Sequence, residues 1–428
     1  MKNKLLLLGI LFTTFCQFTY AQFTLSGEFR PRVEFRNGFG TLIRESSDPG
    51  LGVATRARLN AGYKTDAYKF YLSLQDVFVW GENRQILPND ANNSFAIFQA
   101  WAEIRLGAGF STKLGRQVLS YDDQRILGGL DWAQQGRNHD AALLKYKKGT
   151  FSADLALAFN QDNTTPGGFQ SEGTAFTTTG FFTYKTMQML HLHKSWTDFS
   201  GSFLFMNNGF QKGATVGGVF QPESGNNNLQ TIGTHLKYKK NKFGVAANAY
   251  LQTGERQGDV EVSGAYLLGL DVSYKVSPKV GVGAGLEIIS GRTDDTAAFF
   301  PLYGTNHKFN GFMDYFYVGN HANSIGLFDI HASANFKLDE KASLMLKVLN
   351  FRGEQELASG EKSLGTEVDL VYKRKFNGFS IVAGYSHMFE SDGMYELKGI
   401  TEAEAAGTQN WAWAMLVLKP KFLNGTKK

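Results

Sequence analysis

Residues 22–36 set the strictest limit on what this chain can become. Phe23, Leu25, Gly27, Phe29, Pro31, Val33 and Phe35 alternate with Thr24, Ser26, Glu28, Arg30, Arg32, Glu34 and Arg36. An extended strand sends successive side chains to opposite faces. The segment therefore carries one apolar face and one strongly charged face. The same period-two pattern recurs in about 18 segments. They lie near 23–36, 53–64, 67–78, 95–106, 109–117, 139–147, 150–160, 179–192, 197–207, 230–239, 242–252, 260–275, 279–291, 324–337, 341–351, 363–373, 378–389 and 410–420.

The connections alternate in length. Short ones fall at 65–66, 107–108, 148–149, 240–241, 277–278 and 339–340. Long ones fall near 37–52, 79–94, 118–138, 161–178, 208–229, 292–323 and 390–409. Tight turns at one rim and longer loops at the other are the layout of an outer-membrane barrel. The expected fold is thus all-β: a single transmembrane barrel of about 18 antiparallel strands, with the short turns in the periplasm and the long loops outside. Aromatic residues open the strands after several short turns: Tyr68, Phe110, Phe151, Phe199, Phe243 and Phe379. They predict a belt at the inner membrane–water interface.

Composition agrees with this reading. Mean hydropathy is −0.25, as expected when apolar and charged faces average out. With 36 Phe and 43% hydrophobic residues the chain is not disordered. A single Cys excludes a disulfide framework. After the first ~20 residues no run approaches the length of a membrane helix. Lys2 and Lys4, the apolar run 5–12 and the Thr19, Tyr20, Ala21 site predict a secretory signal peptide over 1–21. One barrel domain over 22–428 follows, in the outer membrane of a Gram-negative bacterium.

The inward register of the first strands is rich in arginine: Arg30, Arg56, Arg58 and Arg105, with Glu28, Glu34 and Glu103 interspersed. Such a wall is either a ladder of ion pairs or a cationic track for anions. The net charge of +5 does not decide between them. The stretch 114–140 is dense in Arg116, Asp122, Asp123, Arg125, Asp131, Trp132 and Arg137. Guanidinium, carboxylate, amide and indole groups suit both a salt-bridged external loop and a sugar-binding constriction.

This stretch resembles the alginate-export family of outer-membrane porins. The resemblance rests on Gly115, Arg116 and Gln117, then Tyr121, Asp122, Asp123, Gln124 and Arg125, then Asp131, Trp132, Gln134, Gln135, Gly136 and Arg137. A second run, Leu302, Tyr303, Gly304, Thr305, Asn306, His307, Lys308 and Phe309 with Gly311 and Asp314, is similar to another motif of the family, as are Gln75, Asp76 and Trp80. The resemblance implies an 18-stranded, passive, arginine-lined pore for an anionic polysaccharide. It carries Arg116, Arg125 and Arg137 as its contacts and Asp122, Asp123 and Asp131 as orienting partners. The segment 374–378 is short where alginate exporters have a long periplasmic turn.

The function expected is passive diffusion of hydrophilic, anionic solutes, such as uronate-containing poly- or oligosaccharides, through a lumen narrowed by loop 118–138. Arg30, Arg56, Arg58, Arg105, Arg116, Arg125, Arg137 and Lys308 would line it. Outer-membrane lipid and lipopolysaccharide would surround the wall, and a monomer is the expected state. No cofactor or energy source is implied. A general porin is the nearest alternative. Rivals from other classes are a soluble carbohydrate-binding β-protein and a barrel hydrolase. The glycines 281, 283 and 285 alternate along a strand, so they leave room in the lumen or curve the wall rather than bind a nucleotide. His191 and His193 share a strand face but read as surface histidines. Basic residues are too dispersed for nucleic-acid binding.

Overall fold

The computed structural model describes residues 22–83, 85, 94–162, 164–165, 168–169, 175–176 and 183–425. The leader expected at 1–21 and residues 179–182 of one expected strand lie outside them. The wall opens with β1 (Gln22–Asn37), β2 (Gly50–Lys64), β3 (Tyr68–Val79), β4 (Ala96–Gly107), β5 (Phe110–Gln117), β6 (His139–Lys148) and β7 (Phe151–Phe159). It continues with β8 (Thr186–Ser195), β9 (Phe199–Val216), β10 (Val219–Lys240), β11 (Phe243–Arg256), β12 (Val260–Lys275) and β13 (Val280–Ile289). It ends with β14 (Leu327–Lys337), β15 (Ala342–Arg352), β16 (Ser363–Lys375), β17 (Phe379–Phe389) and β18 (Gln409–Leu418).

Each strand pairs antiparallel with the next, and β18 returns to β1 through Phe35↔Ala412 and Phe29↔Leu418. A short piece, Lys421–Asn424, continues β18 past Pro420, so the wall is a closed barrel of 18 strands. Closure leaves no strand edge, which hydrocarbon requires because it offers backbone groups no partner. The outward register is apolar, and Phe29, Val33, Leu59, Phe70, Leu157, Ile330 and Leu370 are among its exposed side chains. Tyr68, Phe110, Phe199, Phe243 and Phe379 are also exposed, beside the short turns, while Phe151 is half-buried. Neighbouring rings meet there: Phe110 with Tyr146 at 4.6 Å, Trp196 with Phe199 at 5.4 Å, Phe376 with Phe379 at 4.7 Å, Tyr63 with Tyr68 at 6.0 Å and Tyr146 with Phe151 at 6.3 Å.

One expected loop, 208–229, is not a loop. β9 and β10 run on as a hairpin turned at Gly217 and Gly218, both at positive φ, 59° and 81°. Two left-handed residues give the turn whose twist matches the strands. The polar run Asn226, Asn227 and Asn228 looks like a loop in sequence, but its amides bond across strands. Asn227 Nδ2 donates to the Arg256 carbonyl at 2.9 Å, and Asn207 Nδ2 reaches Asn228 Oδ1 at 3.3 Å.

The apolar core lies inside the barrel. Loop 118–138 contributes Leu119, Ile126 and Leu127, and loop 290–326 contributes Phe299, Leu302, Tyr303, Met313 and Tyr315. Wall residues Met187, Met206, Leu229, Leu349, Phe351, Met388 and Trp411 cover them from the inward register. A uniformly polar lumen wall, expected from the alternation, is therefore absent where these loops dock. The wall is apolar there because the loops bring apolar surface that must leave water.

The two loops are joined by backbone bonds. Gly128 N–H donates to the Tyr303 carbonyl at 2.8 Å, and Thr305 N–H to the Gln124 carbonyl at 2.9 Å. A Cβ on Gly304 would collide with the Arg125 carbonyl. Gly304→Ala should thus push the loops apart and destabilise the barrel interior by about 1–3 kcal/mol. Thermal unfolding in detergent, compared with wild type, measures it.

Candidate functional site

β1 and β2 present a row of inward arginines, and loop 118–138 lies over them. Arg30 Nη1 donates to the Asp131 carbonyl at 2.6 Å, and its Nε reaches Gln134 Oε1 at 3.1 Å. Arg32 Nη1 donates to the Trp132 carbonyl at 2.8 Å, and its guanidinium sits 4.1 Å from the Trp132 ring centre. Arg56 is fully buried and ion-paired with Glu28, with Nε–Oε1 at 3.0 Å. Its Nη2 also reaches Asp131 Oδ1 at 2.8 Å. Arg58 donates to Gln75 Oε1 at 2.7 Å and to the Gln135 carbonyl at 3.3 Å. A guanidinium has five donors in a fixed fork, so four arginines can hold a run of carbonyls that no sheet satisfies.

The far side of the loop is fastened across the lumen. Arg125 is buried and forks onto Glu287 of β13, at 2.6 Å and 2.8 Å. It also donates to Asn306 Oδ1 at 2.9 Å and Asn310 Oδ1 at 3.0 Å. Tyr121 donates to Asp154 of β7 at 2.9 Å, and Asp122 sits 3.1 Å from His191 of β8. Burial works to raise the Asp122 carboxyl, but the His191 bond and charge outweigh it and hold the group below the ordinary Asp value. Trp132 closes the assembly. It stacks on His307 at 4.5 Å and meets the edge of Trp413 at 4.7 Å.

The expected site residues separate into groups. Arg30, Arg56 and Arg58 face inward, but the loop lies over them and takes most of their donors, so the row holds the loop rather than lining an open lumen. Arg137 is likewise buried between the two loops and donates to the Gly304 carbonyl at 2.9 Å. Asp131 pairs with the arginine row, whereas the Asp123 carboxylate takes the Arg125 backbone N–H at 3.1 Å and Asn248 Nδ2 at 2.7 Å. Arg105 lies at the short-turn rim and donates to the Asp66 carbonyl at 2.9 Å.

Arg116 is a correction. It pairs in register with Ala100 and Asp140, on the outward face of β5 that carries Leu114. Its fork grips Asp140 at 2.8 Å and 2.9 Å near the outer rim, and both side chains are about half exposed. The motif spacing hid this, because register is visible only when the strand is counted from its neighbours. Arg116→Gln should leave conductance and ion selectivity unchanged and cost at most about 1 kcal/mol. Bilayer recordings and melting of the variant check both.

Lys308 does reach a cavity. Its Nζ donates to the Asp123 carbonyl at 2.8 Å. The cavity has a volume of about 320 Å³ and is lined also by Lys237, Lys347, His235, His331 and Asp271. Lys237 and Lys347 were not singled out in sequence, although the inward register of β10 and β15 contains them. Their signal was alternation alone, without a motif. The acids around this cavity are engaged. Glu287 holds Arg125, Asp271 meets His331 at 2.9 Å, and Asp329 meets His331 at 3.2 Å. Among the described residues neither Lys237, Lys347 nor Lys308 forms a salt bridge with a carboxylate. Burial pulls the Lys308 ammonium below the ordinary lysine value; Asp123 opposes this, and the like charges of Lys237 and Lys347 add to it. Gly285 makes room here. A Cβ on it would fall 2.6 Å from Asp271 and 2.7 Å from His331, whose bridge crosses the glycine. A second cavity of about 340 Å³, lined by Ser120, Asp154 and His193, shares His235 and Lys237 with the first.

Comparison with known proteins agrees with this architecture. The model of the family described as alginate export matches residues 21–388. No curated protein matches the sequence closely enough to count as a relative. Among solved structures, OccAB4 of Acinetobacter baumannii superposes with a TM-score of 0.63 at 12% identity, covering 94% of this chain and 98% of that one. OpdK, an outer-membrane protein of Pseudomonas aeruginosa, gives 0.61 at 9% identity, over 94% and 99% of the two chains. The structure of OpdK with vanillate gives 0.59 at 9% identity, over 93% and 99%.

Proposed function

Because this chain belongs to the alginate-export family of outer-membrane β-barrel porins, we propose that it carries hydrophilic anions passively across the outer membrane, with uronate-containing sugars as the solute class. One observation carries the sign of the charge. Lys237, Lys308 and Lys347 meet at one cavity inside the barrel, while the carboxylates around it are bonded to Arg125, His331 and Asn248. Three ammonium groups without carboxylate partners, in a wall of low dielectric, leave a positive field along the route of a solute. The arginine row does a different job and fixes the loop that narrows the lumen. The polar lining of Asn248, Asn310 and His331 around the cavity suits hydroxylated solutes. Vanillate, described with OpdK, is itself a carboxylate.

Liposome swelling separates the solutes. Glucuronate, as its potassium salt with valinomycin to carry the counter-ion, should enter faster than glucose. Equal rates would remove the anionic solute from the account and leave a general porin.

A further inference from the structure

Two cavities stand in series between the outer face and the lysine cavity. The outermost, about 520 Å³, lies at the external ends of β11 and β12. Phe210, Arg256, Val260, Phe300, Asn320 and Ala322 line it. A neck of about 20 Å³ follows and shares Phe300 and Ala322 with the outer cavity. The neck in turn shares Asn310 with the lysine cavity. It is scarcely larger than one water. At its inner end Arg125, Glu287 and Asn310 form a closed triangle. Arg125 Nη2 meets Glu287 Oε1 at 2.6 Å and Asn310 Oδ1 at 3.0 Å, and Asn310 Nδ2 returns to Glu287 Oε1 at 2.9 Å. Asn306 also lines the neck. Its Oδ1 is taken by Arg125, while its buried Nδ2 finds no hydrogen-bond partner among the described residues.

We infer that solute crosses the barrel along this seam, between loop 290–326 and the wall of β11–β14, and that the Arg125–Glu287–Asn310 triangle with Phe316 is its gate. The inference rests on the channel reading above. It puts the route away from the arginine row of β1 and β2, where loop carbonyls occupy the guanidinium donors. Two features make the triangle suitable as a gate. A hydrogen-bonded polar cluster can exchange its partners for water or a solute hydroxyl with little net change in bonding. Asn306 Nδ2 already has a donor to offer such a guest. Phe316 belongs to the apolar part of the neck, beside Phe299, Phe300 and Val318, and it packs on Phe351 at 4.5 Å and edge-on to His321 at 5.2 Å.

Asn310 has φ of 58°, a conformation glycine adopts freely. Asn310→Gly therefore keeps the backbone and removes the side chain that ties the triangle. It should raise single-channel conductance by about twofold, as a wider constriction does. Phe316→Ala is the second variant, with the same expected direction and no change to the triangle. Heat-modifiable gel migration confirms that each variant is folded.

Cysteine modification traces the route. A charged methanethiosulfonate added to Ala322→Cys should block the current, and the same reagent on Ala133→Cys, beside the arginine row, should not. Wild type, treated in parallel, should be unaffected. Block at Ala133→Cys, with or without block at Ala322→Cys, would overturn the route. Unchanged conductance in both folded neck variants would overturn the gate. A wild-type protein that never conducts would instead sink the channel reading, and the gate with it, so the two failures are distinguishable.

Discussion

Arg56→Met loosens loop 118–138 on the wall and lowers stability by about 3–5 kcal/mol, toward the lower end of that range. Arg56 is fully buried, and its fork holds Glu28 and, through Nη2, Asp131. Removing it leaves Glu28, only 9% exposed, without its main partner. Lys419 at 3.2 Å compensates part of that charge. Asp131 contributes little to the loss because its side chain is 71% exposed and can turn to water. Arg56 also donates weakly to the Ala133 and Gln134 carbonyls, at 3.4 Å and 3.3 Å, so the loop loses anchors along with the ion pair. Arg56→Lys should restore only part of the loss, since an ammonium cannot fork. Urea unfolding in detergent gives the stability. Bilayer recordings should show a noisier open level, because the loop that crosses the lumen keeps only Arg30, Arg32 and Arg58 as its anchors on that side.

Neutralising Lys237, Lys308 and Lys347 together to Gln should abolish anion preference and carry the channel toward cation selectivity. After the change Asp123, Asp271, Asp329 and Glu287 remain at the cavity with His331 and Arg125 as their cationic partners. The barrel should keep its stability, because none of the three lysines closes a buried ion pair among the described residues. Each single substitution should give a partial shift. Raising the pH of wild type should act in the same direction. Lys308 loses its proton below the ordinary lysine range, so part of the anion preference should fade before surface lysines titrate.

The barrel was legible in the sequence because its signal is repeated and local. Each of the expected strands overlaps a wall strand, since period-two alternation is imposed on every segment by lipid outside and polar groups inside. The loop at 208–229 was misread because Asn and Gln look like turn residues, yet in a hairpin projecting past the membrane they bond across strands. The inward fold of loop 118–138 was legible as chemistry, in its density of Arg, Asp and Trp. What those groups do was not. Composition cannot tell an arginine that faces water from Arg30 or Arg56, which face the carbonyls of a loop 101 and 78 residues away in sequence. Arg116 was misplaced for a different reason. A single step in register moves a side chain from the lumen to the outer face, and no motif records that step. Lys237 and Lys347 went unnoticed because each is one lysine in an ordinary strand. Only closure of the wall and the docking of Lys308 bring them together.

The reversal potential of the purified wild-type protein in a planar bilayer, under a potassium chloride gradient, tests the central claim most directly. The account predicts discrete channels whose reversal potential lies on the chloride side of zero. A protein that opens no channels, or one whose potential lies on the potassium side, would contradict it.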